Sequence, residues 1–225
     1  MTTYYNIHPK FHVAVDCIIF GFNNDGLSLL LLKRNMEPFY GRWSLMGGFV
    51  QENEHMDDAA KRVLYEYTGL NKVFMEQVCA FGEVDRDPGE RVISVAYYAL
   101  INIHDYDKKC VEEHNGYWAN INDLPDLLFD HKQMIEKARE IMRRKASTEP
   151  IGFNLLPKLF TLTQLQNLYE AIYGYSIDKR NFRKKVAEMD FIELTDQIDK
   201  STSRRGARLF KFNNKIYKKA SKFKL

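Results

Sequence analysis

The chain has 225 residues, 45% hydrophobic, 28% charged and 13% aromatic, which excludes a disordered, collagenous or coiled-coil protein and suits one large domain or two modest ones. Its formal net charge of +3 conceals two opposite halves, because the chain from Lys158 onward holds 16 Lys/Arg against 7 Asp/Glu (+9) and the rest holds 17 against 23 (−6). An asymmetry of that size points to separate tasks, with the basic part meeting a polyanion.

Residues 11–22 (FHVAVDCIIFGF) and 27–33 (LSLLLLK) are strand-like runs separated by Asn23-Asn24-Asp25-Gly26, a hairpin signal. Their near-continuous apolar character predicts strands covered on both faces. Asp16 lies inside the first run and must find hydrogen-bond partners, either as a structural cap on a loop or as part of a pocket. A helix is predicted around Met56–Tyr67, with Ala59, Ala60, Val63, Leu64 and Tyr67 in helical register and Gly69 placed to close it. Residues 91–103 give another strand. Asp130 with Gln133 predicts a helix start, followed by a stripe of Met134, Ile135, Ala138, Ile141 and Met142. That stripe either packs on the sheet, the preferred reading, or faces a second subunit. A boundary is expected near Ala146–Pro157, where ASTEPIGFNLLP interrupts the helical pattern. The division is then 1–150 and 151–225.

The C-terminal part reads as a small α+β winged helix-turn-helix domain. Thr161 and Gln164 form a capping box, opening a helix with Leu162, Leu165, Leu168, Tyr169 and Ile172 on one face and Gly174 at its end. After a short turn, a second helix from about Asp178 to Met189 buries Phe182, Val186 and Met189. Its Lys179, Arg180, Arg183 and Lys184 fall largely off that stripe, with Asn181 near its start. The strand-like runs 191–194 and 208–212 flank a basic loop, Ser201–Gly206. Arginine and asparagine on such a helix read bases in the major groove, and basic side chains on a wing hold phosphates. The expected contacts to double-stranded operator DNA are Lys179, Arg180, Asn181, Arg183, Lys184, Arg204, Arg205 and Arg208. An acidic protein is the alternative partner.

The stretch Gly47 to Glu54, followed by Arg62 to Leu70, resembles a Nudix box, G-x5-E-x7-R-E-U-x-E-E-x-G-U, with U a bulky apolar residue. Gly48, Glu54, Arg62, Leu64, Glu66, Gly69 and Leu70 fall on it in register. The upstream run KRNMEPFYGRWSLMGGF is similar to the segment that leads into the box in such domains. The resemblance implies an α/β fold, a Nudix-type α/β/α sandwich with a mixed sheet, over roughly residues 8–150. In active Nudix hydrolases the box carboxylates hold divalent cations that polarise a pyrophosphate and activate water. Here Val63 and Tyr67 replace two of the three helix glutamates and Glu66 alone remains. The expectation is therefore no enzyme, no catalytic residues, no metal and no cofactor. An active pyrophosphohydrolase with a rearranged metal site is the alternative.

A domain that keeps its pocket and loses its catalyst is expected to bind. Asp16, Lys33, Phe39, Trp43, Arg86 and Asp87 are the candidate ligand-binding residues, because a carboxylate, a guanidinium and an aromatic face suit a polyhydroxylated ligand. The alternative is that Phe39 and Trp43 are core residues and Arg86–Asp87 is a loop-fixing ion pair. The whole order, degenerate Nudix domain then winged helix, resembles the Nudix-related transcriptional regulators, as do LPDLLFDH and LPKLFTLTQLQNLYEAIYG. That group includes NAD-biosynthesis repressors responding to ADP-ribose and AraR-type regulators of pentose catabolism. A sugar effector, with L-arabinose the best single choice, is expected here, and ADP-ribose is the alternative. The resemblance also implies a homodimer, since two winged helices must reach two half-sites. No apolar run approaches the ~20 residues of a membrane helix, and the N-terminus lacks the apolar region of a secretory signal. Cys17, Cys79 and Cys110 are odd in number and form no metal pattern. A cytoplasmic protein with no membrane partner is expected.

Overall fold

The computed structural model describes residues 4, 6–23, 26–35, 37–103, 105–200 and 206–218. A mixed seven-stranded sheet is built on β1 (His12–Asn23), a 12-residue strand with seven buried residues in a row. Its second half pairs antiparallel with β2 (Gly26–Lys33), as expected of the hairpin, and Asn23 faces Gly26 across the turn. Asn24 and Asp25 lie outside the described residues. β3 (Trp43–Ser44) pairs with β2, while β4 (Met46–Phe49) lies beside the first half of β1. Helix α1 (Met56–Thr68) follows, ended by Gly69 at φ 71°, a left-handed conformation that a residue without Cβ adopts at little cost. Next come β5 (Phe74–Phe81) and β6 (Val92–Leu100), the latter parallel to β1. A short helix α2 (Lys108–Glu113) leads to β7 (Gly116–Asn120) beside β2, and α3 (His131–Ala146) completes this part. The path across the sheet is β3-β2-β1-β6-β5.

Strand alternation divides the interior into two layers. Ile18 and Phe20 of β1, Leu29 and Leu31 of β2, and Tyr98 and Leu100 of β6 point to one face. Val15, Cys17 and Ile19 with Leu30, Tyr97 and Ala99 point to the other, where Ala59, Ala60, Val63 and Leu64 of α1 cover them. Both faces are buried, which is why the sequence shows apolar runs rather than alternation. The α3 stripe packs on the first face: Met134, Ile135, Ala138 and Met142 are buried there, with Ile141 partly so.

The chain beyond α3 is a tight connection. A 3-10 turn (Ile151–Leu155) buries Ile151, Leu155 and the following Leu156 in the same core. Helices α4 (Leu162–Tyr173) and α5 (Lys179–Ala187), strands β8 (Ile192–Asp199) and β9 (Ala207–Phe212), and the last turn α6 (Asn214–Tyr217) follow. Leu165, Leu168 and Tyr169 of α4 join the cluster that holds Phe20 and Met134, so one core runs without a break across the expected boundary at residue 150. No helix among the described residues is long and apolar enough to cross a membrane.

Candidate effector pocket and nucleic-acid interface

Gly47 of β4 lies opposite Asp16 of β1, and a Cβ there would stand 2.4 Å from Asp16 Oδ1. That close approach lets the carboxylate lie at the floor of a cavity of about 610 Å3. Asp16 has the partners a buried carboxylate needs: Ser94 donates its hydroxyl to Oδ2 at 2.6 Å, the Arg86 guanidinium is 3.7 Å away, and His131 Nε2 is 3.5 Å from Oδ1. The His131 ring is oriented by the Leu45 amide, which donates to Nδ1 at 3.1 Å, so in the neutral ring the proton sits on Nε2, facing Asp16. Burial pushes the Asp16 carboxyl up, but His131, Ser94 and Arg86 outweigh it and hold the group below its usual range.

Arg86 is bound more tightly elsewhere. Its Nε and Nη2 donate to the two oxygens of Asp130 at 2.9 and 2.7 Å, a bidentate pair with both side chains buried. Helix α3 starts where Asp130 and Gln133 place it, though without the side-chain cap, because the Asp130 carboxylate serves Arg86. The alternative Arg86–Asp87 pair is not the one that forms; Asp87 instead accepts the Gly89 amide at 2.9 Å and fixes its own turn.

Of the six candidate ligand residues, Asp16, Phe39, Arg86 and Asp87 line the cavity. Lys33 and Trp43 stand outside its wall. Trp43 is half-buried, packs on the core and meets Tyr117 edge-on, and the Lys33 ammonium lies over the indole at 5.6 Å. Sequence reasoning missed Arg34, Tyr67, Phe129 and His131, all on the cavity wall. Phe129 and His131 sit in the segment LPDLLFDH, which bore on family resemblance but carried no local sign of a pocket. Phe39 and Phe129 meet edge-to-face at 5.5 Å, and both hold positive φ, 72° and 52°. Non-glycine residues in that region carry strain that the surroundings must sustain.

The Nudix box is intact as a structural device. Arg62 donates to both Glu54 oxygens, at 3.0 and 2.7 Å, and to the Phe49 carbonyl at 3.0 Å, stapling the box loop to α1. The hydrolytic family implies divalent cations beside this helix, and the residues present do not fit them. Val63 is buried with a methyl against Gly48, the Tyr67 ring leans on His114 at 4.9 Å, and Glu66 stands 3.9 Å from Arg62. Among the described residues, no group of three or more His, Cys, Asp or Glu could hold a metal ion.

In the C-terminal part the expected capping box is present: Thr161 Oγ1 accepts the Gln164 amide at 3.1 Å, and the Gln164 side chain accepts the Thr161 amide at 2.8 Å. Helix α4 ends at Gly174 in the left-handed conformation, φ 78°. Asp178 caps α5 by accepting the Asn181 amide at 2.8 Å. Phe182, Val186 and Met189 are buried against α4, which leaves Lys179, Arg180, Asn181, Arg183 and Lys184 exposed. Lys185 is exposed beside them, and Arg208 is exposed on β9. Arg204 and Arg205 lie outside the described residues. The wing sheet gains a third edge from Phe160, which exchanges backbone hydrogen bonds with Phe210 at 3.0 and 2.8 Å.

Comparison with known proteins agrees with this architecture. The NUDIX domain family matches residues 10–144, and the NrtR DNA-binding winged helix domain family matches residues 152–212. A relative from Acinetobacter baylyi, described as an ADPR responsive transcriptional repressor NtrR, is 34% identical over 209 residues, 91% of this chain and 83% of that protein. The crystal structure of Shewanella oneidensis NrtR complexed with a 27mer DNA superposes with a TM-score of 0.80 at 30% identity, covering 89% of this chain and 93% of that one. The Nudix domain of the same protein, complexed with ADP ribose, gives a TM-score of 0.50 at 28% identity over 63% of this chain and 98% of that domain. Where these relatives name a small molecule it is ADP-ribose, which leaves the expected arabinose-responsive grouping without support. The chain belongs to the Nudix family, among the transcriptional regulators that join a Nudix domain to an NrtR-type winged helix.

Proposed function

We propose that this protein is a transcriptional regulator that binds operator DNA as a homodimer through its winged helix and senses ADP-ribose in a Nudix-type pocket without catalytic turnover. The observation that carries the reading is the cavity beside the box helix. It has the volume of a site for a drug-sized ligand, about 610 Å3, and a lone pentose would leave most of it to solvent. Its wall offers the Arg34 and Arg86 guanidiniums and the rings of Phe39, Tyr67 and Phe129. A guanidinium can donate to sugar hydroxyls, but only an anion draws on its charge, and a pyrophosphate without metal ions needs protein cations to balance its own. ADP-ribose therefore replaces L-arabinose as the effector in this reading.

Isothermal calorimetry in the absence of divalent cations is expected to give saturable ADP-ribose binding and no heat with L-arabinose. Binding of arabinose but not ADP-ribose would reverse the choice. With Mg2+ or Mn2+ present, ADP-ribose is expected to remain uncleaved, and turnover abolished by Glu66→Gln would restore the hydrolase reading. For the DNA face, Arg183→Ala is expected to weaken operator binding by about 1–3 kcal/mol in a gel shift on the DNA upstream of the protein's own gene. An unchanged affinity would mean that α5 meets DNA by another edge.

A further inference from the structure

Helix α3 touches the pocket at one end and the winged helix at the other. At its head, Phe129 lines the cavity in a left-handed backbone conformation, Asp130 grips Arg86, and His131 faces Asp16. The helix then runs 16 residues, about 24 Å at 1.5 Å per residue. In its last turn Arg143 Nε donates to the Ile172 carbonyl at 3.0 Å, and Nη2 lies 3.3 Å from the place a Cβ on Gly174 would take. Ile172 and Gly174 close α4 and launch the turn into α5, whose outer face is the basic one. The two ends are thus fixed by specific polar contacts, and the middle is a continuous apolar stripe.

We propose that the Phe129–Asp130–His131 segment, pinned by Arg86, is the coupling element of this protein, and that α3 transmits its position through Arg143 to the helix-turn-helix. The inference rests on the reading of the pocket as an effector site. Arg86 is shared among a cavity, Asp16 and Asp130, so an anionic ligand that draws the guanidinium into the cavity must weaken its hold on Asp130. Phe129 holds a left-handed backbone conformation at the point where the loop becomes helix, a strain that a shift of the segment would relieve. Packed helices respond to such a release by a discrete shift rather than by gradual bending. Asp130 is not part of the cavity wall and Arg143 is far from it, so both act by positioning and neither is a ligand contact.

The test uses the full-length protein and two variants, Asp130→Asn and Arg143→Ala. Each is measured for ADP-ribose affinity by calorimetry and for operator affinity by gel shift, with and without saturating ADP-ribose. In the wild type, ADP-ribose is expected to change operator affinity at least fivefold, within the usual range of allosteric coupling. Arg143→Ala is expected to bind ADP-ribose and free operator within about threefold of wild type, and Asp130→Asn, which releases Arg86 beforehand, is expected to bind ADP-ribose at least as tightly as wild type; in both, the effect of ADP-ribose on operator affinity falls below twofold. Variants that couple as strongly as wild type would overturn the proposal and leave the effector reading standing. A wild type that ignores ADP-ribose would overturn both together. Should Asp130→Asn fail to fold, Arg143→Ala decides the question by itself, since its change lies at the partly exposed end of the helix.

Discussion

Replacing Gly47 with alanine is expected to destabilise the protein by about 1–3 kcal/mol, the usual penalty of overpacking a well-packed site, and to weaken ADP-ribose binding at least tenfold. The added methyl would stand 2.4 Å from Asp16 Oδ1 and 2.9 Å from the Val15 carbonyl. Neither neighbour gives way easily. Val15 is backbone in the central strand, and Asp16 is held by Ser94, His131 and Arg86 together. Relief requires β4 to separate from β1 or the carboxylate to leave its partners, and either move reshapes the cavity floor. Urea denaturation should show a lower midpoint with an unchanged slope. A variant as stable as wild type, with intact ligand binding, would mean that the Asp16 network is looser than its geometry implies.

Loss of Arg86 should be larger. Arg86→Ala leaves the carboxylates of Asp16 and Asp130 buried without their shared cation, and breaking such a pair from one side destabilises by about 3–5 kcal/mol. The pH dependence carries the diagnosis. In the folded wild type the Asp16 carboxyl lies below its ordinary value of 3.8, because its partners outweigh the upward push of burial. A group depressed in the folded state contributes stability that is fully present above the ordinary value and is lost as pH falls through the lowered one. The variant lacks one of the depressing partners, so it has less of this stability to lose. Its deficit against wild type should be greatest near neutral pH and should shrink as pH drops below the ordinary carboxylate range. A deficit that stays constant with pH would show that the lost packing of the guanidinium, and not its charge, accounts for the effect.

The two helices of the winged helix were legible because their signals are short-range, whereas the strand expected at 191–194 runs on to Asp199. Thr161 and Gln164 bond three residues apart, Asp178 caps the amide of Asn181, and the buried and basic faces of α5 follow from helical spacing alone. The strands β1, β2 and β6 were legible for a related reason: burial on both faces leaves a mark in every residue of the run. Strand β5 was not, since FMEQVCAF lies at the end of the sheet path, carries Glu76 and Gln77, and has a register shift between Gln77 and Ala80. No residue of β5 is fully buried, so neither alternation nor a continuous apolar run survives in the sequence.

The pocket divides along the same line. The sequence by itself determined that a Nudix box is present with two of its helix carboxylates replaced, and that a basic helix follows a capped one. Those are statements about residue identity at fixed spacing. Only the tertiary structure decided which side chains meet. Ser94 reaches Asp16 across 78 residues and Asp130 reaches Arg86 across 44, and no local pattern encodes such distances. Asp130 shows how the choice is made. Its spacing to Gln133 is that of a helix cap, a hydrogen bond with a net contribution of about 1 kcal/mol. A buried guanidinium left without a carboxylate would lose several times that, so the long-range ion pair takes the side chain and the cap is forgone. Trp43 was drawn to the core for a similar reason: its half-buried indole packs on the apolar cluster and meets Tyr117 edge-on. Local hydrogen bonds and periodicity fix elements, and competition among partners for buried charge and apolar surface fixes the site.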